Sequence, residues 1–209
     1  MEPLLLVVEG SDCVGKSTFC QELHQLFLEK YPQITTHIMS QPEDPTIRAE
    51  IARTPVTNWL RHLYLFIKDR ELQWVNRISP LFKENTCIIL DRYWHSSCVH
   101  QGAFDPSITY QSILKAHGKF LPTPHITFLL VAPDEIIEER LAQRTMDDLR
   151  VFEENKELRQ LYRRRYLDLL GEPEFQECVR IDASKDVPHA IKQTYLPIQR
   201  LMATVKPAI

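Results

Sequence analysis

The stretch Glu9-Gly-Ser-Asp-Cys-Val-Gly-Lys-Ser-Thr18 holds two of the five glycines in 209 residues and sets a lysine directly after the second. Gly10 and Gly15 let backbone N–H groups curl around an anion. Lys16 brings a point charge to β- and γ-phosphates, and Ser17 a hydroxyl for Mg²⁺. The spacing G-x4-G-K-S follows an apolar run and opens a helical pattern, the setting in which it cradles a polyphosphate at a helix N-terminus. At average composition it arises by chance in well under roughly one sequence of this length in a hundred. Gly10, Ser11, Asp12, Cys13, Val14, Gly15, Lys16, Ser17 and Thr18 are therefore expected to bind ATP.

A second pair, Asp91-Arg92, closes another apolar run. Asp91 suits Mg²⁺, through water, or a neighbouring cation. Arg92 suits a second, acceptor phosphate, which it can grip with a planar fork. Phe66 and Arg70 stand four apart and share a helix face. A ring and a guanidinium so placed can stack on a pyrimidine and bond its carbonyl. A guanine reader of the N-K-x-D type is missing, since Glu157-Leu158 follows Asn155-Lys156. That sets the phosphate loop apart from a GTPase.

These groups need rigid elements behind them. Nearly continuous apolar runs at residues 4–9, 34–39, 86–90, 125–131 and 179–182 predict strands buried on both faces, as in a parallel sheet. Helical patterns at 15–30, 58–82, 106–118, 134–144, 148–170 and 184–203 alternate with them. The alternation predicts an α/β fold of one domain over 1–209, with right-handed crossovers and ligands beyond the carboxyl ends of the strands. The run Arg163-Arg164-Arg165 reads as a solvated face.

The net charge of −3 advertises no nucleic-acid or anionic-lipid surface. Five cysteines, an odd number without a CxxC pair, point to reduced thiols in the cytoplasm rather than to disulfides or zinc. No run approaches the roughly 18 apolar residues of a membrane span, and the N-terminal apolar run lacks the basic flank of a signal peptide.

The motifs together resemble the thymidylate kinase family. Glu9–Thr18 matches its phosphate loop. Asp91-Arg-Tyr-Trp-His-Ser-Ser-Cys-Val-His-Gln-Gly102 matches its D-R-Y-x-x-S-(S/N)-x-A-Y-Q segment. Phe66-Ile-Lys-Asp-Arg70 is similar to its F-x-x-x-R helix, and Val179-Arg-Ile-Asp-Ala-Ser184 to its late I-D-A loop. Arg140-Leu-Ala-Gln-Arg144, Phe152-Glu153 and Tyr166 follow the order of its lid and next helix.

The resemblance implies a three-layer P-loop NTPase fold, with a five-stranded parallel sheet, helices on both faces and a short lid at about 143–153. It implies transfer of the γ-phosphoryl of MgATP to dTMP, and a homodimer touching near the 58–82 helix. Lys16, Asp91, Arg92, Arg144 and Arg150 become catalytic candidates; Ser17 and Asp91 become metal candidates. Asp12, Phe66, Arg70, Arg92, Ser96, Ser97, His100, Gln101 and Tyr166 become substrate contacts. Some members carry an arginine in the phosphate loop where this chain has Cys13, and the others supply it from the lid, which singles out Arg144 and Arg150. Arg140 is expected to brace its helix instead. Two departures stand out: Ser40-Gln41-Pro42 replaces the family's R-E-P, and His100 replaces the Tyr or Phe that lies against the sugar. The D-R-Y-W-H-S stretch also resembles UMP-CMP kinases. Other pyrimidine acceptors (dUMP, UMP, CMP, a 5-modified dUMP) therefore stay open, as does a nucleotide-binding regulator without turnover.

Overall fold

The computed structural model describes residues 1–105, 109–117, 121–143, 156–170 and 178–205. Five strands form one sheet: β1 (Leu4–Gly10), β2 (Thr35–Ser40), β3 (Thr86–Asp91), β4 (Ile126–Val131) and β5 (Cys178–Asp182). All pairings are parallel, in the order β2-β3-β1-β4-β5. β1 and β4 are buried along their whole length, which explains why their sequences do not alternate. Leu4, Leu6 and Val8 of β1 pack toward α1 (Lys16–Lys30), α8 (Val187–Lys192) and α9 (Tyr195–Thr204). Leu5 and Val7 point the other way and join Ile88, Leu90, Tyr93 and Trp94. The period of two thus feeds two cores, one on each face.

The remaining described helices are α2 (Pro45–Arg53), α3 (Trp59–Gln73), α4 (Trp94–His100), α5 (Tyr110–His117), α6 (Asp134–Ala142) and α7 (Lys156–Leu169). Three expectations need correction. The helix expected over 58–82 is α3 followed by one π-turn, Trp74–Ile78, in which Ser79 N donates to the Trp74 carbonyl at 2.8 Å; Pro80 cannot continue a helix. The helix expected over 184–203 is two, because Pro197 in the first turn of α9 has no N–H to carry the ladder through Gln193. The arginine run on α7 is solvated only at Arg164. Arg163 pairs with Asp134 at 3.2 Å, and Arg165 donates to the Cys98 carbonyl at 3.3 Å. Among the described residues no helix is long and apolar enough to cross a membrane.

Because β1 is central, its carboxyl end delivers residues 10–15 to the middle of the sheet edge. β3, one strand over, delivers Asp91 and Arg92 beside them. The two phosphate motifs, some eighty residues apart in sequence, are brought together by strand order alone.

Candidate active site

The loop after β1 is shaped by two glycines with different tasks. At Gly10 (φ 142°) an added Cβ would lie 2.6 Å from the Leu130 carbonyl, so the loop could not sit this close to β4 with any side chain there. Gly15 (φ 101°) takes the left-handed conformation that starts α1, where only glycine is unstrained. α1 then runs on, with Phe19, Leu23, Leu26 and Phe27 buried. Its first-turn N–H groups face the loop with no acidic side chain to occupy them.

Lys16 lies beneath the loop, its Nζ 2.8 Å from the Ser11 carbonyl and 4.0 Å from Asp12. Burial, and then Arg92, push its ammonium below the usual lysine range. Ser17 Oγ donates to Asp91 Oδ2 at 2.8 Å. A hydroxyl and one carboxylate, both hard oxygen donors, fit Mg²⁺ held jointly with nucleotide phosphates and water. The described residues contain no group of three or more His, Cys, Asp or Glu side chains able to hold a metal, and a site of this kind does not require one.

Arg92 has φ 75°, a left-handed turn straight after β3 that a bulky residue adopts only where its surroundings enforce it. The turn sends its guanidinium back across the sheet edge to Asp12, with which it is ion-paired. The same group donates to Ser96 Oγ (3.1 Å), the Tyr166 hydroxyl (3.2 Å) and the Gly10 carbonyl (3.4 Å). Burial disfavours its charge, but Asp12, Tyr166, Glu9 and Asp91 outweigh that and hold it firmly protonated.

Sequence reasoning gave Glu9 no role. It lies 1% exposed at the end of β1 and accepts four hydrogen bonds: from Tyr93 N (2.8 Å), Ser96 N (3.2 Å), Ser96 Oγ (2.8 Å) and the Tyr166 hydroxyl (3.1 Å). Burial raises its pKa against the opposing pull of Arg92 and these donors. The available signal was a single carboxylate in an otherwise apolar buried strand. Tyr166 was expected at the substrate; its hydroxyl is engaged by Glu9, Ser96 and Arg92, so α7 is tied to Arg92 through it.

The second half of the site is built on α3. Arg70 is 2% exposed, not a solvated charge. Its Nε donates to Gln41 Oε1 (2.9 Å), Nη1 to Ser97 Oγ (2.8 Å) and Nη2 to the Tyr93 carbonyl (2.9 Å). Phe66 lies half-buried with its ring centroid 5.6 Å from the guanidinium carbon, as the four-residue spacing required. Desolvation lowers Arg70 to about 10, against the pull of Glu9 and Asp69. Gln41 Nε2 donates to Gln73, which in turn donates to the Ser40 carbonyl and Glu43, while Asp69 caps the backbone N–H groups of Glu43 and Asp44. The Ser40-Gln41-Pro42 segment is thus a brace for Arg70. Arg53 bonds the carbonyl of Ala49 in its own helix, and Arg48 is exposed. Arg140 ties the phosphate loop to the loop after β5, donating to the carbonyls of Val14 (2.9 Å) and Ala183 (2.9 Å). Arg144, Arg150, Phe152 and Glu153 lie outside the described residues, as does the lid apart from Gln143.

His95 and His100 on α4 are both held neutral. Burial, then Arg92, pushes His100 down to about 3; burial, then Arg70, pushes His95 well below its ordinary value. The folded state therefore refuses a proton that the unfolded chain accepts near pH 6.5. Neither group affects stability at pH 8. As pH falls through 6.5 each costs the folded state about 1.4 kcal/mol by pH 5.5. The ring C–H resonances of both histidines are expected to stay fixed from pH 8 to 5.5; a midpoint near 6.5 for His100 would refute its buried, neutral state.

Comparison with known proteins matches this geometry. The family model described as Thymidylate kinase matches residues 8–193. "Probable thymidylate kinase 1" of Saccharolobus solfataricus is 30% identical over 196 residues, covering 94% of this chain and 97% of that protein. "Probable thymidylate kinase" of Archaeoglobus fulgidus is 30% identical over 183 residues, covering 87% of this chain and 88% of its own. The crystal structure of thymidylate kinase from Ehrlichia chaffeensis superposes with a TM-score of 0.71 at 19% identity, covering 95% of this chain and all of that one. This likeness supports the five-stranded P-loop NTPase fold. A match over most of the length, with phosphate loop, Asp91-Arg92 and Arg70 gathered at one sheet edge, shows that the chain belongs to the thymidylate kinase family.

Proposed function

We propose that the chain is an ATP-dependent phosphotransferase that moves the γ-phosphoryl of MgATP onto the phosphate of dTMP, giving dTDP. The observation that carries this reading is the pair of anion sites on one edge: Lys16 and Ser17 in the phosphate loop, and Arg92 turned back toward that loop. Phe66 and Arg70 connect to Arg92 through Ser96 and Ser97, adjacent residues of α4. A nucleotide with its base against Phe66 and Arg70 would present its phosphate to Arg92, facing the loop.

Gly10 to Thr18 would hold the triphosphate, and Ser17 and Asp91 the metal. Mg²⁺, when bound, neutralises charge on the transferring group. The acceptor phosphate supplies its own nucleophilic oxygen, so the residues need only bind, align and neutralise. On arrival of that phosphate, Arg92 would exchange its Asp12 contact for the phosphate, leaving Asp12 beside Lys16. Ser97, Gln101 and His100 would complete the acceptor pocket. Arg144 and Arg150 of the lid would reach the transferring phosphoryl, because Cys13 in the loop cannot. Each changed to alanine is expected to lower kcat about 10³-fold with nucleotide affinity little altered; unaltered kcat in both variants would remove the lid from the mechanism.

A single domain over 1–209 in the cytoplasm belongs to the same proposal, supported by five free thiols. So does a homodimer, supported by Leu60 (61% exposed), Tyr64 (55%) and Val75 (65%) along α3 and its π-turn; sedimentation showing only monomer at micromolar concentration would remove it. The deciding experiment is an ADP-release assay across dTMP, dUMP, dCMP, UMP, CMP and thymidine. dTMP is expected to have the highest kcat/KM. Another acceptor ranking above it would overturn the specificity and leave the fold standing.

A further inference from the structure

Arg140 lies on α6, two residues before the helix ends at Ala142. The hydrogen bonds of its guanidinium among the described residues all go to backbone carbonyls. Nη1 donates to the Val14 oxygen at 2.9 Å; Nη2 donates to the oxygens of Ala183 (2.9 Å) and Lys185 (3.2 Å). Val14, 1% exposed, belongs to the phosphate loop; Ala183 and Lys185 follow β5. A planar fork with fixed N–H directions holds both loops at once, which a single ammonium group does poorly.

The bond to Val14 also orients the next amide. The Val14–Gly15 peptide is trans, so its carbonyl and its N–H point in opposite directions. Holding the Val14 oxygen on Arg140 therefore turns Gly15 N–H away from α6. Gly15 cannot fix this plane by itself, because a residue without Cβ has wide conformational freedom. Gly15 is the N-cap of α1, and among the described residues its N–H meets no acceptor. Helix N-termini bind phosphate through such N–H groups. Were the peptide flipped, a carbonyl oxygen would face the anion instead.

We propose that Arg140 is a positioning residue for the phosphate donor: it fixes the Val14–Gly15 peptide so that Gly15 N–H faces the triphosphate. The proposal rests on the donor placement given under Proposed function. Arg140 acts here through Gly15, and the nucleoside part of the donor is not needed for the effect.

The test compares two probes by calorimetry: ATP, and inorganic tripolyphosphate, which has phosphates and no nucleoside. Arg140→Ala is expected to weaken both by the same factor, about tenfold or more, the order of one lost contact to a charged group. Arg140→Lys, which keeps the charge and loses the fork, is expected to recover part of the loss. KM for dTMP is expected to stay within about twofold in both variants. Weaker ATP binding with tripolyphosphate unchanged would mean that Arg140 serves the nucleoside, and would overturn the proposal. So would an equal loss of ATP and dTMP binding, which is what general damage to the fold produces. Should Arg140→Ala fail to fold, the Gly15 amide proton of the unaltered protein decides. It is expected to move downfield on adding tripolyphosphate; an unmoved resonance at saturation overturns the proposal. An unaltered protein that binds neither probe overturns the proposed function itself, and this inference with it.

Discussion

Lys16→Met is expected to lower kcat by about 10²–10³-fold, the loss seen when one preorganised donor to a developing charge is removed. Lys16 is the cation of the phosphate loop, 8% exposed, and no other described side chain reaches the Ser11 carbonyl beside it. Methionine matches its length and fills the same slot under the loop, so the fold should survive. The ammonium has been drawn out of water at a cost that folding does not recover: burial and Arg92 both disfavour its charge. A polyphosphate supplies the missing negative charge, so the group is poised for an anion. The prediction has two readouts. Single-turnover rates at saturating ATP and dTMP should fall by the stated factor, and calorimetry should show weaker ATP binding. A rate within about threefold of the unaltered protein would remove Lys16 from the chemistry. Because Lys16 pairs at long range with Asp12, which also holds Arg92, a secondary effect on acceptor KM is expected as well.

The parts that could be read from the sequence share one property: their signal is local. The phosphate loop is ten consecutive residues whose types are dictated by backbone conformation. The central strands β1, β3 and β4 announce themselves as apolar runs, because both faces of a parallel sheet are covered there, whereas the edge strands β2 and β5 are partly exposed and carry a weaker signal. Phe66 and Arg70 lie on one turn of one helix. What could not be read depends on strand order or on complete burial. α4 has no amphipathic stripe, since Trp94 to Val99 are all buried, and periodicity cannot detect a helix with no wet face. Gln41 looks like loop filler until the end of β2 meets α3 and its amide is found between Arg70 and Gln73. The Asp12–Arg92 pair spans eighty residues and exists because β3 lies next to β1. The Arg163–Arg165 run was misread for a related reason: charge suggests solvent, but the partners Asp134 and the Cys98 carbonyl come from elements distant in sequence.

Glu9→Ala is expected to be the most destabilising substitution in the site. It removes the acceptor of four hydrogen bonds at once and withdraws one of the negative charges that keep Arg92 protonated. Breaking a buried charge arrangement by deleting one partner costs about 3–5 kcal/mol. For a chain of this size that is a fall in Tm on the order of 10 °C. Two backbone donors, Tyr93 N and Ser96 N, would be stranded at the start of α4, the element that carries Ser96, Ser97 and His100. The damage should therefore reach acceptor binding before it reaches ATP binding. Glu9→Gln separates the contributions of charge and shape. Its carbonyl oxygen can still accept from Tyr93 N and Ser96 N, and the Ser96 and Tyr166 hydroxyls can rotate to accept from its amide. It should retain more than half the lost stability, while Arg92 loses a counter-charge in both variants. Urea midpoints of the three proteins measure the ordering directly. If Glu9→Ala unfolds within about 1 kcal/mol of the unaltered chain, the carboxylate is not the anchor of this edge, and the link from α7 through Tyr166 to Arg92 must be held elsewhere.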